Sequence, residues 1–284
     1  MKPYIALMKL RVVELLLVTT VPALFLAAEG LPPWDVAIAT LIGGTLAAGA
    51  ANAFNMVIES DIDQLMGRTS KRPIVNDQVS EEKALAFAFA ISILSLVIFW
   101  VFTNPLATAL TVSAIAFYVF AYTLLLKRRT PQNIVWGGIA GCIPVLIGWA
   151  AVSNTLAAPA WWFFLLIFFW TPPHFWALAI KYKEDYARAG VPMLPVVAPM
   201  RTVVWQMWMH TTLMVVTSYL LLLSLSAPTW SYLVITLVNL YFALSLTRMR
   251  GEIAKVEKAA IRVFHDSITY LSLISLVLLV LALV

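Results

Sequence analysis

Nine apolar runs, each about long enough to cross a bilayer, occupy most of this 284-residue chain. They lie at roughly 12–29, 36–58, 84–103, 106–126, 133–152, 160–180, 203–225, 228–247 and 266–284. A span needs ~20 apolar residues because a helix rises ~1.5 Å per residue through ~30 Å of hydrocarbon. With 62% hydrophobic residues, 12% charged residues and a mean hydropathy of +0.90, the chain is too apolar for a water-soluble domain. It reads as an all-α polytopic membrane protein, because a helix satisfies its own backbone in lipid. Two breaks, Asn104-Pro105 and Ala227-Pro228, are short enough to predict tight helical hairpins. No soluble domain is visible, so residues 1–284 are expected to form one integral membrane domain.

The net charge of +5 could suggest a nucleic-acid partner, but the arrangement of the bases argues for topology and against nucleic acid. Lys2, Lys9 and Arg11 precede the first span. Arg68, Lys71, Arg72 and Lys83 follow the second, and Lys127, Arg128 and Arg129 follow the fourth. Lys181, Lys183, Arg188 and Arg201 follow the sixth; Arg248, Arg250, Lys255, Lys258 and Arg262 follow the eighth. These are all 19 Lys and Arg residues, and nine spans put every one on the same side. The positive-inside rule then predicts a cytoplasmic N-terminus and a periplasmic C-terminus. The run from Val12 to Ala28 is read as a retained helix, since Ala27-Ala28-Glu29 is a poor cleavage site. The single cysteine, Cys142, lies in an apolar segment and is expected to pack.

The densest polar stretch is Asn52–Pro73, NAFNMVIESDIDQLMGRTSKRP. Asn55, Glu59 and Asp63 are spaced i, i+4, i+8, drifting only ~40° per step on a helix. Two carboxylates and an amide oxygen are hard ligands suited to Mg²⁺. Asp61 points elsewhere. Arg68 and Arg72 can fork onto phosphate oxygens, whereas Lys71 reads as an anchor. The competing reading is a solvated helix end whose acids pair with Arg68 and Arg72.

A second polar helix end follows the sixth span, WTPPHFWALAIKYKEDYARAGVPMLP. His174, Lys181 and Asp185 fall within ~20° of one helical line and form a predicted polar stripe. Thr171-Pro172-Pro173 is expected to break or kink the helix above it. Two carboxylate-bearing helix ends at one membrane face, rimmed by Arg and Lys, would bind a metal-bridged diphosphate. The apolar bundle behind them would hold a long hydrophobic tail. That combination points to an enzyme acting on a prenyl diphosphate.

The residues resemble the UbiA-type membrane prenyltransferases over nearly the whole chain, and within them the branch that farnesylates haem. The resemblance rests on NMVIESDIDQLMGRTSKRP (55–73), YTLLLKRRTPQNIVWGGIAGCIPVLIGWAAV (122–152) and WTPPHFWALAIKYKEDYARAGVPMLPVV (170–197). Shorter echoes are KLRVVELLLVTT (9–20) and FHDSITYL (264–271). Against the family's NDxxDxxxD pattern, Asn55 keeps the Asn, Met56 replaces the first acid, and Glu59 and Asp63 take the others. His174 and Lys181 stand where the quinone branch has aspartates, and only Asp185 keeps an acid.

The resemblance implies nine helices around a cavity opening to the cytoplasmic face and laterally to membrane lipid of the bacterial inner membrane. It implies that farnesyl diphosphate loses diphosphate while its C1 joins the vinyl group at position 2 of haem B. Water then completes haem O. Mg²⁺ would be held by Glu59 and Asp63, with Asn55 and Asp185 assisting; the number of ions stays open. Arg68, Arg72, Lys127, Arg128 and Lys181 are the candidates to grip phosphate. His174 or His265 could take the iron of substrate haem, and His174 could instead act as acid or base. Trp170, Phe175 and Trp176 could shelter the farnesyl chain. The product would pass to a haem A synthase or a terminal oxidase. A quinone-precursor prenyltransferase and an ion-relay transporter are the alternative readings.

Overall fold

The computed structural model describes residues 1–249 and 253–284, with the main chain alone at 253 and 254; Arg250 lies outside the described residues. Helices α1 (Lys2–Met8) and α2 (Leu10–Ala28) meet at Lys9, whose φ of 51° is left-handed. Then come α3 (Trp34–Ile58) and α4 (Ser60–Leu65), followed by a basic loop. Next, α5 (Glu81–Phe102) and α6 (Pro105–Ala116) form a hairpin; α6 runs on as a π-helix, Phe117–Leu126. The chain continues through α7 (Asn133–Gly137), α8 (Ile139–Ser153), α9 (Ala158–Lys181), α10 (Lys183–Arg188) and α11 (Leu194–Val197). It finishes with α12 (Met200–Ser224), α13 (Thr229–Thr247) and α14 (Ile253–Leu283). Among the described residues, nine helical stretches are long and apolar enough to cross a membrane.

The tight hairpins form as the sequence predicts. Asn104 caps α6 by accepting the Ala107 N–H (2.9 Å), with Pro105 in the first turn where no N–H is needed. Pro228 stands one residue before α13 as its N-cap residue, with no side-chain cap. Two spans differ from expectation. The last helix begins at Ile253, well before the apolar run at 266, because its first turns are amphipathic rather than absent. Helix α9 runs unbroken through Pro172 and Pro173. The Thr171 hydroxyl bonds back to the Ile167 carbonyl (2.8 Å), and α8, α12 and α14 brace α9 from different sides. Such support lets a membrane helix keep proline.

Helices adjacent in sequence pack side by side, and α14 returns to α2 and closes the ring. Small residues allow the close approaches that packing in lipid requires. At Gly49 a Cβ would sit 2.6 Å from the end of the Met8 side chain, so glycine lets α1 lie close across α3 with Met8 as it stands. Lipid-facing positions such as Phe89, Ile93 and Val97 are exposed, while Ala84, Ala88 and Phe99 of the same helix are buried. Exposed Trp34, Trp100, Trp161 and Trp230 lie near helix ends opposite the basic loops, and exposed Trp136 and Trp205 lie near the basic loops, as belts at both interfaces require. Cys142 is buried and its thiol bonds to the Gly138 carbonyl, in keeping with a packing role.

Candidate active site

The basic ends of the helices enclose a cavity of about 300 Å³, within the range of small-ligand sites. Its polar end is formed by Lys9, Asn55, Arg68, Arg72, Tyr118 and Lys127. Its remaining wall is apolar, and Leu16, Pro144, Ile147 and Ile167 carry it deep between the helices.

Helix α3 ends at Glu59 (φ −104°, ψ 13°), so Asn55, Glu59 and Asp63 do not share one continuous helix. They still converge. Glu59 is fully buried and accepts Lys127 Nζ at 2.5 Å. Its second oxygen, Oε1, is buried without a hydrogen-bond partner. Asp63, also buried, is held by Arg72. Asn55 accepts Lys9 Nζ (2.9 Å) and donates to Thr123 Oγ1 (3.3 Å). Neither carboxylate lies on the cavity wall itself; each stands behind the cation it binds. Burial works against the charged form of Glu59, but Lys127, Lys9 and Asn55 outweigh it and hold its pKa below the usual carboxylate value. Burial, with the repulsion of Arg72, pulls the Lys9 pKa well down. A phosphate docking there would reverse that pressure.

The buried Glu59 Oε1, left without a hydrogen-bond partner, and the buried Asp63 carboxylate are hard oxygen donors of the kind that fit Mg²⁺. Among the described residues, no three His, Cys, Asp or Glu side chains converge as a ready-made cage.

The second polar helix end is brought to the first by Arg68. Its backbone N–H donates to Asp185 (3.4 Å), its guanidinium reaches the Tyr186 hydroxyl (3.4 Å), and it lies over the Tyr182 ring (5.4 Å). The expected stripe does not form, because α9 ends at Tyr182 and Asp185 sits on α10. Asp185 is further engaged by Arg188 (2.7 Å) and ties the two loops together through Arg68.

Several other candidates lie off the cavity. Arg128 forks onto exposed Asp61 (2.7 and 2.8 Å), and that pairing lowers the Asp61 pKa. Lys181 is exposed over Tyr182, outside the lining. His265 borders a separate groove with Arg248, Lys258 and Arg262. His174 is buried between α9 and α14, behind Trp170 and Phe175, which do line the cavity. Trp176 packs on His210 (5.5 Å).

Lys9 and Tyr118 are the residues that sequence reasoning missed. Lys9 was hidden in a basic N-terminal cluster that topology already explained. Tyr118 reaches the site only because of π winding. Closure by i→i+5 bonds gives about 80° per residue against about 100° for an α-helix. Nine residues separate Tyr118 from Lys127, so α winding would point them to opposite sides and π winding aligns them. One such backbone bond runs from the Lys127 N–H to the Tyr122 carbonyl (2.9 Å), and the Thr123 hydroxyl also donates to the Tyr118 carbonyl (2.9 Å). The Tyr122 ring fits here because Gly137 has no Cβ, which would lie 2.1 Å from it.

A family model described as the UbiA prenyltransferase family matches residues 16–282. The chain belongs to the UbiA prenyltransferase family. A curated relative from Parafrankia sp. (strain EAN1pec), named protoheme IX farnesyltransferase, is 50% identical over 275 residues, 96% of this chain and 88% of that one. A solved structure described as digeranylgeranylglyceryl phosphate synthase in membranes matches with a TM-score of 0.80 at 17% identity, covering 99% of this chain and 98% of that one. A UbiA homolog from Archaeoglobus fulgidus, bound to DMAPP and Mg²⁺, matches at 0.72 and 15% identity, covering 95% and 99%. The likeness establishes the UbiA fold, and the family assignment makes the cavity that of a membrane prenyltransferase.

Proposed function

We propose that this UbiA-family chain, as one membrane domain, transfers the farnesyl group of farnesyl diphosphate to the position-2 vinyl group of haem B. Water addition yields haem O and diphosphate. The observation that carries this reading is a single cavity whose cationic end backs onto buried Glu59 and Asp63 and whose apolar wall runs into the bundle. The acceptor follows from the name of the half-identical relative.

Arg68, Arg72, Lys127 and Lys9 face the cavity and grip the diphosphate oxygens. Glu59 and Asp63, with the Asn55 amide oxygen beside them, would hold Mg²⁺, which when bound supplies charge neutralisation for the leaving group. The C1–O bond breaks and its electron pair leaves with diphosphate. C1 then bonds to the terminal vinyl carbon, the inner vinyl carbon takes the water oxygen, and the water proton passes to solvent. The apolar wall keeps water from C1 until the vinyl group arrives. Arg128, Lys181 and His265 stand off the cavity and receive no role. Asp185 orients Arg68.

The basic helix ends face the cytoplasm of a bacterial inner membrane. The product is released for a haem A synthase or a terminal oxidase. The decisive assay incubates membranes with haem B, labelled farnesyl diphosphate and Mg²⁺. Labelled haem O is expected, and chelation of Mg²⁺ should stop its formation. A labelled phenol, or chelator-indifferent turnover, would overturn the assignment.

A further inference from the structure

His174 is an unusual group to find behind the cavity wall. Its ring is stacked on both faces, by Trp170 (centroids 4.3 Å, 20° between planes) and by Phe264 (4.7 Å, 28°). Its Nδ1 lies 2.7 Å from Ser267 Oγ. The Ser267 hydroxyl also lies 2.6 Å from the Phe264 carbonyl, which can only accept. Ser267 therefore donates to Phe264 and accepts from His174 Nδ1–H. The Ser267 carbonyl in turn accepts the Trp170 indole N–H at 2.8 Å. Trp170 and His174 are one helical turn apart, so a single residue of α14 holds both, one through its main chain and one through its side chain. Of the two rings, Trp170 reaches the cavity.

We propose that Ser267 and His174 are positioning residues that lock the Trp170 indole as a fixed wall for the prenyl chain. His174 acts by stacking on Trp170, not by touching haem or the reacting atoms. This deepens the farnesyl-transfer reading and rests on it for the identity of the chain. From Lys181 at the basic end, Trp170 lies eleven residues along α9, about 16 Å of rise, so it meets the chain beyond the diphosphate. A rigid indole there favours a farnesyl chain over a shorter geranyl chain that cannot fill the contact.

The test compares His174→Ala, His174→Phe, Ser267→Ala and wild type in detergent, each first checked for wild-type thermal stability. Binding of labelled farnesyl and geranyl diphosphate is measured beside haem O turnover. H174A, which removes the stack, should weaken farnesyl diphosphate binding about tenfold and narrow the preference over geranyl diphosphate. Its KM for haem and the haem absorption spectrum should stay unchanged. H174F keeps an aromatic ring on Trp170 and should recover most of the affinity. S267A should fall between them. A stable H174F as impaired as H174A would overturn the proposal, because it would show that the imidazole itself is required. A haem spectrum altered by H174A would overturn it too. Selective farnesyl diphosphate binding by a wild type that makes no haem O would refute the farnesyl-to-haem reading and leave the clamp standing.

Discussion

At the residue scale, Glu59 and Asp61 are both acids at one helix end, yet they experience different surroundings. Glu59 is buried on Lys127 with one oxygen unsatisfied, whereas Asp61 is exposed and spent on Arg128. Breaking a buried pair strands a charge, while an exposed pair is worth at most about 1 kcal/mol. Glu59→Gln or Asp63→Asn should therefore reduce haem O formation by on the order of 10²-fold or more at normal protein levels. Asp61→Asn should leave turnover within about twofold of wild type. Assays on matched membrane preparations check both, and normal turnover in either buried variant would remove the metal assignment. Lys9 gives a sharper case. Its left-handed backbone costs on the order of 1–3 kcal/mol, which is borne where an ammonium is delivered to Asn55 and the cavity. Lys9→Met should raise the KM for farnesyl diphosphate about tenfold with little change in the KM for haem, as losing a charge-assisted phosphate contact requires. An unchanged KM would return Lys9 to a topological anchor.

At the element scale, the hairpins, caps and most span ends were legible because each has a local chemical cause, such as Asn104 capping ahead of Pro105. The acidic site was legible in composition but not in geometry, since the helix break at Glu59 has no proline or glycine to mark it. Pro172 and Pro173 misled in the opposite direction, because the support that keeps α9 intact comes from neighbouring helices. The π-helix was illegible altogether. Phe117–Leu126 is an apolar run whose winding is settled by what Tyr118, Thr123 and Lys127 meet across the cavity. That winding predicts a specific failure. Deleting Phe120, whose side chain faces outward, would let the segment relax toward α winding and swing Lys127 away from Glu59. Activity should fall as far as in Lys127→Met, although every site residue remains. If the deletion variant keeps wild-type turnover, the winding is incidental. Restoring activity with a compensating insertion after Lys127 is not expected, because only the turn between Tyr118 and Lys127 sets their relative direction.

At the scale of the whole molecule, charge tells the two ends apart and aromatic residues mark both interfaces. The basic loops lie at the end that carries the cavity, whereas exposed tryptophans mark both interfaces, Trp34, Trp100, Trp161 and Trp230 at the far end and Trp136 and Trp205 at the basic one. The nine candidate spans among the described residues, an odd number, would put the two termini on opposite sides of the membrane. Positive charge is retained on the cytoplasmic side, so the cavity should open there, where a soluble diphosphate can reach it. Since Cys142 is the sole cysteine and is buried, Cys142→Ala makes a background for site-specific labelling. On that background, Val284→Cys should react with a membrane-impermeant maleimide on intact spheroplasts, and Lys2→Cys only after the membrane is opened. The reverse pattern would invert the molecule and place its diphosphate site in the periplasm. Labelling of both positions from outside would mean that an even number of spans crosses, so that one of the nine helices does not traverse the bilayer.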